Sequence, residues 1–237
     1  MSQFFDSVIK ERPHKIELHC HTSGISRCSQ ISLLEMINTY RQEGYSGLVI
    51  TNHFYPWQPK TGGQYKKYVE DYVREYHELR QMGEAKGIRV YLGMEINLSE
   101  NSNDYLLYGI EEDFILNGLS RKLKTLDELV SVYKRPDNLI LQAHPFRDGM
   151  IMMSDTLLDG FEVYNLHPNH NSRVGFAAKY AAELPSGVYT CGTDFHHTGQ
   201  GALTALLTRE LPSDNRALVE CIKNEPVYAV GNSIVSF

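Results

Sequence analysis

The chain has 237 residues, 42% hydrophobic and 22% charged, with a formal net charge of −6. That length suits one large domain or two small ones, and the composition excludes disordered and fibrous classes. The mild acidity argues against a nucleic-acid-coating surface, and no apolar run approaches the roughly 18 residues of a membrane span. The first residues, MSQFFDSVIKERPHKIEL, carry no basic segment leading into an apolar core, so no secretory signal is expected. The expectation is a soluble cytoplasmic protein with neither a membrane nor a nucleic-acid partner. Its four cysteines (Cys20, Cys28, Cys191 and Cys221) form no CxxC pair and are expected to be reduced.

In chain order, short apolar runs alternate with amphipathic segments. Lys15–His21 predicts a strand and Ser32–Glu43 a helix, since Ser32 precedes Glu35 by three residues, a capping-box spacing, and Gly44 follows. Gly47–His53 predicts the next strand. The stretch Tyr55–Gln64, with Trp57, two prolines and paired glycines, reads as a rim loop. Gln64–Lys86 repeats Tyr65, Tyr68, Tyr72, Tyr76 and Leu79 at helical steps beside Val69 and Val73, a face for packing on a sheet. Arg89–Ile96, Leu106–Ile110, Leu139–His144, Gly160–Tyr164, Val188–Thr193, Ala205–Thr208 and Val227–Val230 predict further strands. Leu126–Tyr133, Asn171–Leu184 and Asp214–Asn224 predict the remaining helices. The strands are Leu-rich and β-branched without strict alternation, as in a parallel sheet covered on both faces. About seven strand–helix units without a Pro/Gly/Ser-rich linker predict a single-domain α/β barrel, with a doubly wound open sheet as the alternative.

In a parallel barrel, functional side chains gather where strands end. Here the predicted ends carry Glu17, His19 and His21; Asn52 and His53; Glu95; His144; Glu162 and Asn165; and Asp194 and His196. Imidazole and carboxylate are ligands for Zn, Mn and Fe. His19 and His21 stand two apart on a strand, so both project from one face, and the same spacing relates Asp194 to His196. A single HxH is weak evidence, because a hydrogen-bonded core histidine explains it. So many strand ends finishing in His, Glu or Asp point to a metal cluster, since burying them unpaired would cost several kcal/mol each.

These segments, Glu17-Leu-His19-Cys-His21-Thr22, Thr51-Asn52-His53, Gly93-Met-Glu95, Ala143-His144-Pro145 and Gly192-Thr-Asp194-Phe-His196, resemble the successive motifs of the PHP (polymerase and histidinol phosphatase) family. The resemblance runs from about Lys15 to the end. It implies a distorted (β/α)7 TIM-like barrel with one to three divalent metal ions, two being the working expectation, and hydrolysis of phosphoesters. By the family pattern His19, His21, Glu95 and Asp194 hold one metal, Glu95 bridges toward a second on His144, and His53 and His196 hold a third. The chain departs from the pattern in three places. Arg27 stands where an Asp or His often ligates, Asn52 replaces an Asp, and no histidine lies between Glu95 and His144. Ser26-Arg27-Cys28 resembles a Ser-Pro-Cys stretch of small members, which raises Cys28 as a substitute ligand against the expectation of a buried free thiol.

For phosphoester hydrolysis the expected scheme is a metal-activated water attacking phosphorus while protein cations neutralise charge. Arg147, on the loop after His144, suits a two-donor phosphate clamp, Arg27 a second source of positive charge, and His197 a general acid. Glu162, Asn165 and Asn52 are expected to orient ligands; His167, His170 and His197 lie on loops, and a solvated loop histidine is the alternative reading of His197. His14 and His77 are read as structural. The expected substrate is a small phosphorylated molecule, a phosphomonoester or phosphodiester. Two other readings stay open: a degenerate module that binds metal or a nucleotide without turnover, and an amidohydrolase-type hydrolase. The latter normally brings a bridging lysine at a strand end, and no lysine closes a predicted strand here.

Overall fold

The computed structural model describes residues 3–59, 61–120, 122–153, 156–184 and 186–237. Among these the elements are α1 (Gln3–Glu11), β1 (His14–Cys20), α2 (Leu33–Gln42), β2 (Gly47–Ile50), β3 (His53–Phe54), α3 (Gly62–Ala85), β4 (Arg89–Leu92), β5 (Met94–Asn97) and β6 (Asp104–Tyr108). They continue with α4 (Glu112–Leu116), α5 (Leu126–Tyr133), β7 (Leu139–Gln142), β8 (Gly160–Asn165), α6 (Val174–Glu183), β9 (Val188–Gly192), β10 (Thr204–Thr208), α7 (Asn215–Asn224), β11 (Val227–Val230) and β12 (Ser233–Ser236).

Local chemistry starts and stops these helices. The Ser32 hydroxyl accepts from Glu35 N–H ahead of α2, and Thr61 with Gln64 and Thr125 with Glu128 form reciprocal capping boxes ahead of α3 and α5. Gly44 and Gly87, with φ of +74° and +75°, end α2 and α3 in a conformation that disfavours other residues. The expected tyrosine face of α3 is buried at Tyr65, Val69, Tyr72, Val73, Tyr76 and Leu79. Its hydroxyls do more than pack. Tyr72 donates to the carbonyls of Asn52 and Gly93, and Tyr68 donates to that of His53 while accepting from Tyr55 N–H. These bonds satisfy backbone groups where β2 and β4 break before β3 and β5.

The expected all-parallel sheet is not what forms. The strands pair as two mixed six-stranded sheets, ordered β12-β11-β10-β1-β2-β4 and β3-β5-β6-β7-β8-β9, and no closed barrel is formed by these pairings. β6 runs antiparallel to both β5 and β7, and β10, β11 and β12 run antiparallel to their neighbours. The reason is connection length: only residues 98–103 join β5 to β6 and 231–232 join β11 to β12, too short for a crossover helix. The sheets approach each other at two seams. β4 passes into β5 through Gly93 alone. On the other side Cys20 bridges in parallel to Phe195, and Asp194 N–H donates to His19 O at 2.8 Å.

Candidate metal centre

Strand order brings the chemistry-bearing ends to one place. His19 lies at the end of β1 and His21 just past it, His53 opens β3, Glu95 lies in β5 directly opposite His53, and His144 follows β7. Asp194 and His196 follow β9. Two of these residues hold left-handed backbone conformations, His144 with φ +30° and Asp194 with φ +56°, strain that clusters at functional sites. Asp194 is held there by its N–H bond to His19 O, and His144 N–H donates to Glu162 Oε2 at 3.2 Å.

Around Glu95 and Asp194 the donor atoms converge. His19 Nε2 lies 3.5 Å from Glu95 Oε2 and 3.5 Å from Asp194 Oδ1; His21 Nε2 lies 3.3 and 3.4 Å from the same oxygens. His53 Nδ1 approaches Glu95 Oε2 to 2.9 Å, and His144 Nε2 lies 3.1 Å from Glu95 Oε1. His196 Nδ1 is 3.2 Å from Asp194 Oδ1. His19, His21, Glu95, His144 and Asp194 are buried, with exposures of 2% or less. Yet among the described residues His19 Nε2, His21 Nε2, His53 Nδ1 and Glu95 Oε2 have no hydrogen-bond partner of acceptable geometry. Buried polar atoms are normally satisfied. Orphaned nitrogens and a carboxylate oxygen pointing at one another fit a divalent cation, which takes such ligands.

Ligand orientation is set from behind. His19 Nδ1 pairs with Glu162 Oε1 at 2.8 Å, leaving Nε2 toward the centre. Asn165 donates to Glu162 Oε2 at 2.9 Å and Asp194 Oδ2 at 3.1 Å. His21 Nδ1 meets Ser26 Oγ at 3.2 Å, and Ser26 in turn donates to Asn52 Oδ1 and accepts from His53 N–H. Asn52 thus acts on the histidines through Ser26. Gly192 is required here: a Cβ on it would fall 2.2 Å from Glu162 Oε1 and 2.5 Å from His19 Cβ. Glu17 faces elsewhere. Fully buried, it accepts from Leu18, His19 and Thr193 N–H and from the Tyr40 and Thr193 hydroxyls, tying β1 to the segment after β9.

Electrostatics follow from this packing. Burial pushes the His19 imidazolium down, but the carboxylates of Glu162, Asp194 and Glu95 outweigh it and hold its pKa well above the ordinary value. His21 goes the other way, lowered by burial and by the positive charge of His196 and His53. Burial raises Glu95 and Asp194, yet the surrounding histidines, His53 and His19 for Glu95 and His19 and His196 for Asp194, bring both well below the carboxylate range.

One candidate ligand escaped the sequence reading. Asp104 lies within ligand reach of His53 and Glu95, and its Oδ2 is 3.9 Å from His144 Nε2. Burial and the nearby Glu95 raise its pKa to about 6. It occupies the interval between Glu95 and His144 in which no histidine occurs. Because β6 is antiparallel, its first residue, not its last, reaches the rim, opposite Asn97.

The cavity above these groups, about 330 Å³, is lined by Cys28, Tyr55, Arg147, His167, His170 and His197 besides the candidate ligands. Arg147 reaches Asp194 Oδ2 at 2.8 Å and Asn165 Oδ1 at 2.7 Å through one nitrogen, while its Nε is buried without a partner. His197 is half-buried at the rim. Arg27 is exposed beside Tyr68 and does not line the cavity. Cys28 is exposed, not buried as expected, because its loop turns the thiol outward to the cavity mouth. There burial raises its pKa but contacts with His196 and His53 outweigh this and bring it to about 6. His167 is 6% exposed: its Nδ1 accepts from Asn169 N–H and its ring lies 5.1 Å from that of His196. In the rim loop Tyr55 packs 5.4 Å from the His53 ring and Trp57 donates to Asn97; residue 60 lies outside the described residues. His14 and His77 pair with Ser46 and Glu112, away from the cavity.

Comparison with known proteins agrees with this arrangement. In fold the chain is similar to a two-domain protein from Bacteroides vulgatus, described as containing a predicted PHP-like metal-dependent phosphoesterase (14% identity, TM-score 0.65). The alignment covers 93% of this chain and 66% of that one, so this chain spans somewhat under two thirds of it. It is also similar to PsfC from Pseudomonas syringae (15% identity, TM-score 0.62, 87% of each chain covered). No protein of curated function matches it in sequence. Among the described residues no helix is long and apolar enough to cross a membrane. Residues 17–222, which contain every candidate ligand above, match the PHP domain, and the chain belongs to that family.

Proposed function

We propose that this protein is a metal-dependent hydrolase of small phosphomonoesters or phosphodiesters, built as a single PHP-like distorted (β/α)7 barrel whose two sheets join at Gly93 and at the Cys20–Phe195 bridge. The observation that carries this reading is the set of buried, unpartnered donors on His19, His21, His53 and Glu95 beneath a cavity that Arg147 lines. His19, His21, Glu95 and Asp194 hold the first cation, and Glu95, His144 and Asp104 hold a second. His53 and His196 hold a third when present. Zn, Mn and Fe all suit these ligands.

Bound divalent metal supplies Lewis acidity toward phosphoryl oxygens and lowers the pKa of a coordinated water toward about 7. Glu162 fixes the tautomer of His19, and Asn165 fixes Asp194, so the first-metal ligands meet the cation without reorganisation. Arg147 turns its unpartnered Nε to a phosphoryl oxygen as charge develops. His197 protonates the leaving group from the rim. Arg27, outside the cavity, contributes positive charge to substrate extending past the mouth.

Elemental analysis of the purified protein beside Asp194→Ala, followed by a phosphoester screen, tests the reading. Two or more equivalents of Zn, Mn or Fe that fall in the variant, with turnover of a small phosphoester, are expected. Metal without turnover of any phosphoester favours a binding module, and no metal after reconstitution overturns the reading.

A further inference from the structure

The other acidic residues of α3 each pair with a lysine or arginine one turn before them. Glu75 instead turns toward the loop between β1 and α2 and is half-buried. Its Oε1 accepts from the Thr22 hydroxyl and, at 3.1 Å, from Asn52 Nδ2. Gly24 of that loop closes over the carboxylate: a Cβ there would fall 1.8 Å from Glu75 Oε2.

From Glu75 the hydrogen bonds run in one direction. An ionised carboxylate only accepts, so the Thr22 and Asn52 protons are drawn toward it. Asn52 Nδ2 also donates to Thr22 Oγ1 at 2.8 Å, and Thr22 N–H donates to Asn52 Oδ1 at 2.8 Å. The amide oxygen is thereby held toward Ser26. Having no hydrogen to offer, it takes the Ser26 hydroxyl proton at 2.9 Å. Ser26 Oγ is left with acceptor capacity alone, which meets His53 N–H at 2.9 Å and His21 Nδ1 at 3.2 Å. His21 must therefore carry its proton on Nδ1. That bares Nε2, the buried atom that faces Glu95 and Asp194 and lacks a partner among the described residues.

We propose that Glu75 is a positioning residue for the metal centre: through Asn52 and Ser26 it fixes the His21 tautomer whose bare Nε2 meets the cation. The proposal rests on the metal-centre reading above and adds to it the group that prepares His21. Glu162 orients His19 in one step, at 2.8 Å. Glu75 acts on His21 across a neutral amide and a hydroxyl, which keeps its charge out of the centre. Donation to a carboxylate polarises the Asn52 amide and strengthens Oδ1 as an acceptor, and this holds the Ser26 proton off His21 Nδ1.

Two measurements on the metal-free protein test this: zinc competition titration, and proton–nitrogen correlation spectra of the imidazoles, with the His21 signals identified by their loss in His21→Asn. The wild type is expected to carry the His21 proton on Nδ1. Glu75→Gln, which removes the charge and keeps the shape, is expected to spread that proton over both nitrogens and to weaken zinc binding by about 10-fold, the low end for losing an outer partner. Asn52→Asp alone sets two carboxylates side by side and is expected to weaken zinc binding as well. Asn52→Asp combined with Glu75→Gln moves the charge one step along the relay and is expected to recover both tautomer and affinity, a rescue that a merely structural role would not give. A wild-type His21 proton on Nε2, or an Nδ1 proton undisturbed in Glu75→Gln, overturns the proposal and leaves the metal centre standing where zinc still binds. A double variant no better than the single ones overturns it too. A wild type that takes up no zinc overturns the metal-centre reading and the proposal with it.

Discussion

Two cavities of this molecule differ in a way that separates structure from function. The larger, about 920 Å³, opens along the outer edge of β4 between α3 and α7, and the candidate metal centre has about 330 Å³. The large groove is rich in charge, but its charges are met. Arg80 pairs with Glu84 at 2.9 Å, Arg89 donates to Pro212 O at 2.6 Å, and Arg216 pairs with Glu111 and Asp137. Asp214 caps α7. Asn215 splices the split sheet, its Oδ1 accepting from Leu92 N–H and its Nδ2 donating to Ile110 O. The small cavity instead lies over donors that none of the described residues satisfies. Unmet coordination, not volume, marks the site.

Substitutions on the two sides should therefore diverge. The largest effect is expected from Asp194→Ala, which removes a charged candidate ligand. Metal content by elemental analysis should fall, and metal affinity at the first position and phosphoester turnover should drop by more than the roughly 10- to 100-fold typical of losing an outer partner. Glu162→Gln, which weakens the His19 Nδ1 bond, should lower metal affinity by about 10- to 100-fold in a competition titration while the protein stays folded. Arg147→Ala should raise KM or lower kcat with bound metal retained, and unchanged kinetics would remove Arg147 from the chemistry. In the groove, Asn215→Ala strands Leu92 N–H and Ile110 O. It should cost about 1–3 kcal/mol in denaturant melts and leave metal content unchanged. Arg80→Ala, at an exposed i,i+4 pair, should move stability by no more than about 0.5 kcal/mol. Metal loss from Asn215→Ala as large as from Glu162→Gln would erase the distinction between the cavities.

How much of this was legible beforehand depended on strand direction. His19, His21, His53, His144 and Asp194 lie at or just past the ends of strands that run the same way, and their place at strand ends, with the succession of motifs, was enough to group them. Asp104 was not legible, because a rule about strand ends passes over the first residue of a reversed strand. The reversal itself follows from the short 98–103 link, a signal the sequence does contain. The exposure of Cys28 was not legible because its loop is shaped by long-range bonds, such as Gln30 N–H to His196 O, that local patterns do not encode. Arg27 and Arg147 looked alike as loop cations, yet only Arg147 has a buried acceptor, Asp194, drawing it inward. α1 went unpredicted, a short helix whose Phe5, Val8 and Ile9 pack on the core from outside the motif region.

The seam held by Glu17 has a consequence for how the protein is made. Glu17 and Thr193 stand 176 positions apart, and the same seam sets His19 beside Asp194. A ribosome must therefore release most of the chain before the first-metal ligands can meet, and closing so long a loop is slow relative to local pairing. Until then the emerging β1 carries two histidines with no carboxylate from β9 to balance them. The candidate ligands of β1 and of the segment after β9 thus come together only once the seam has closed.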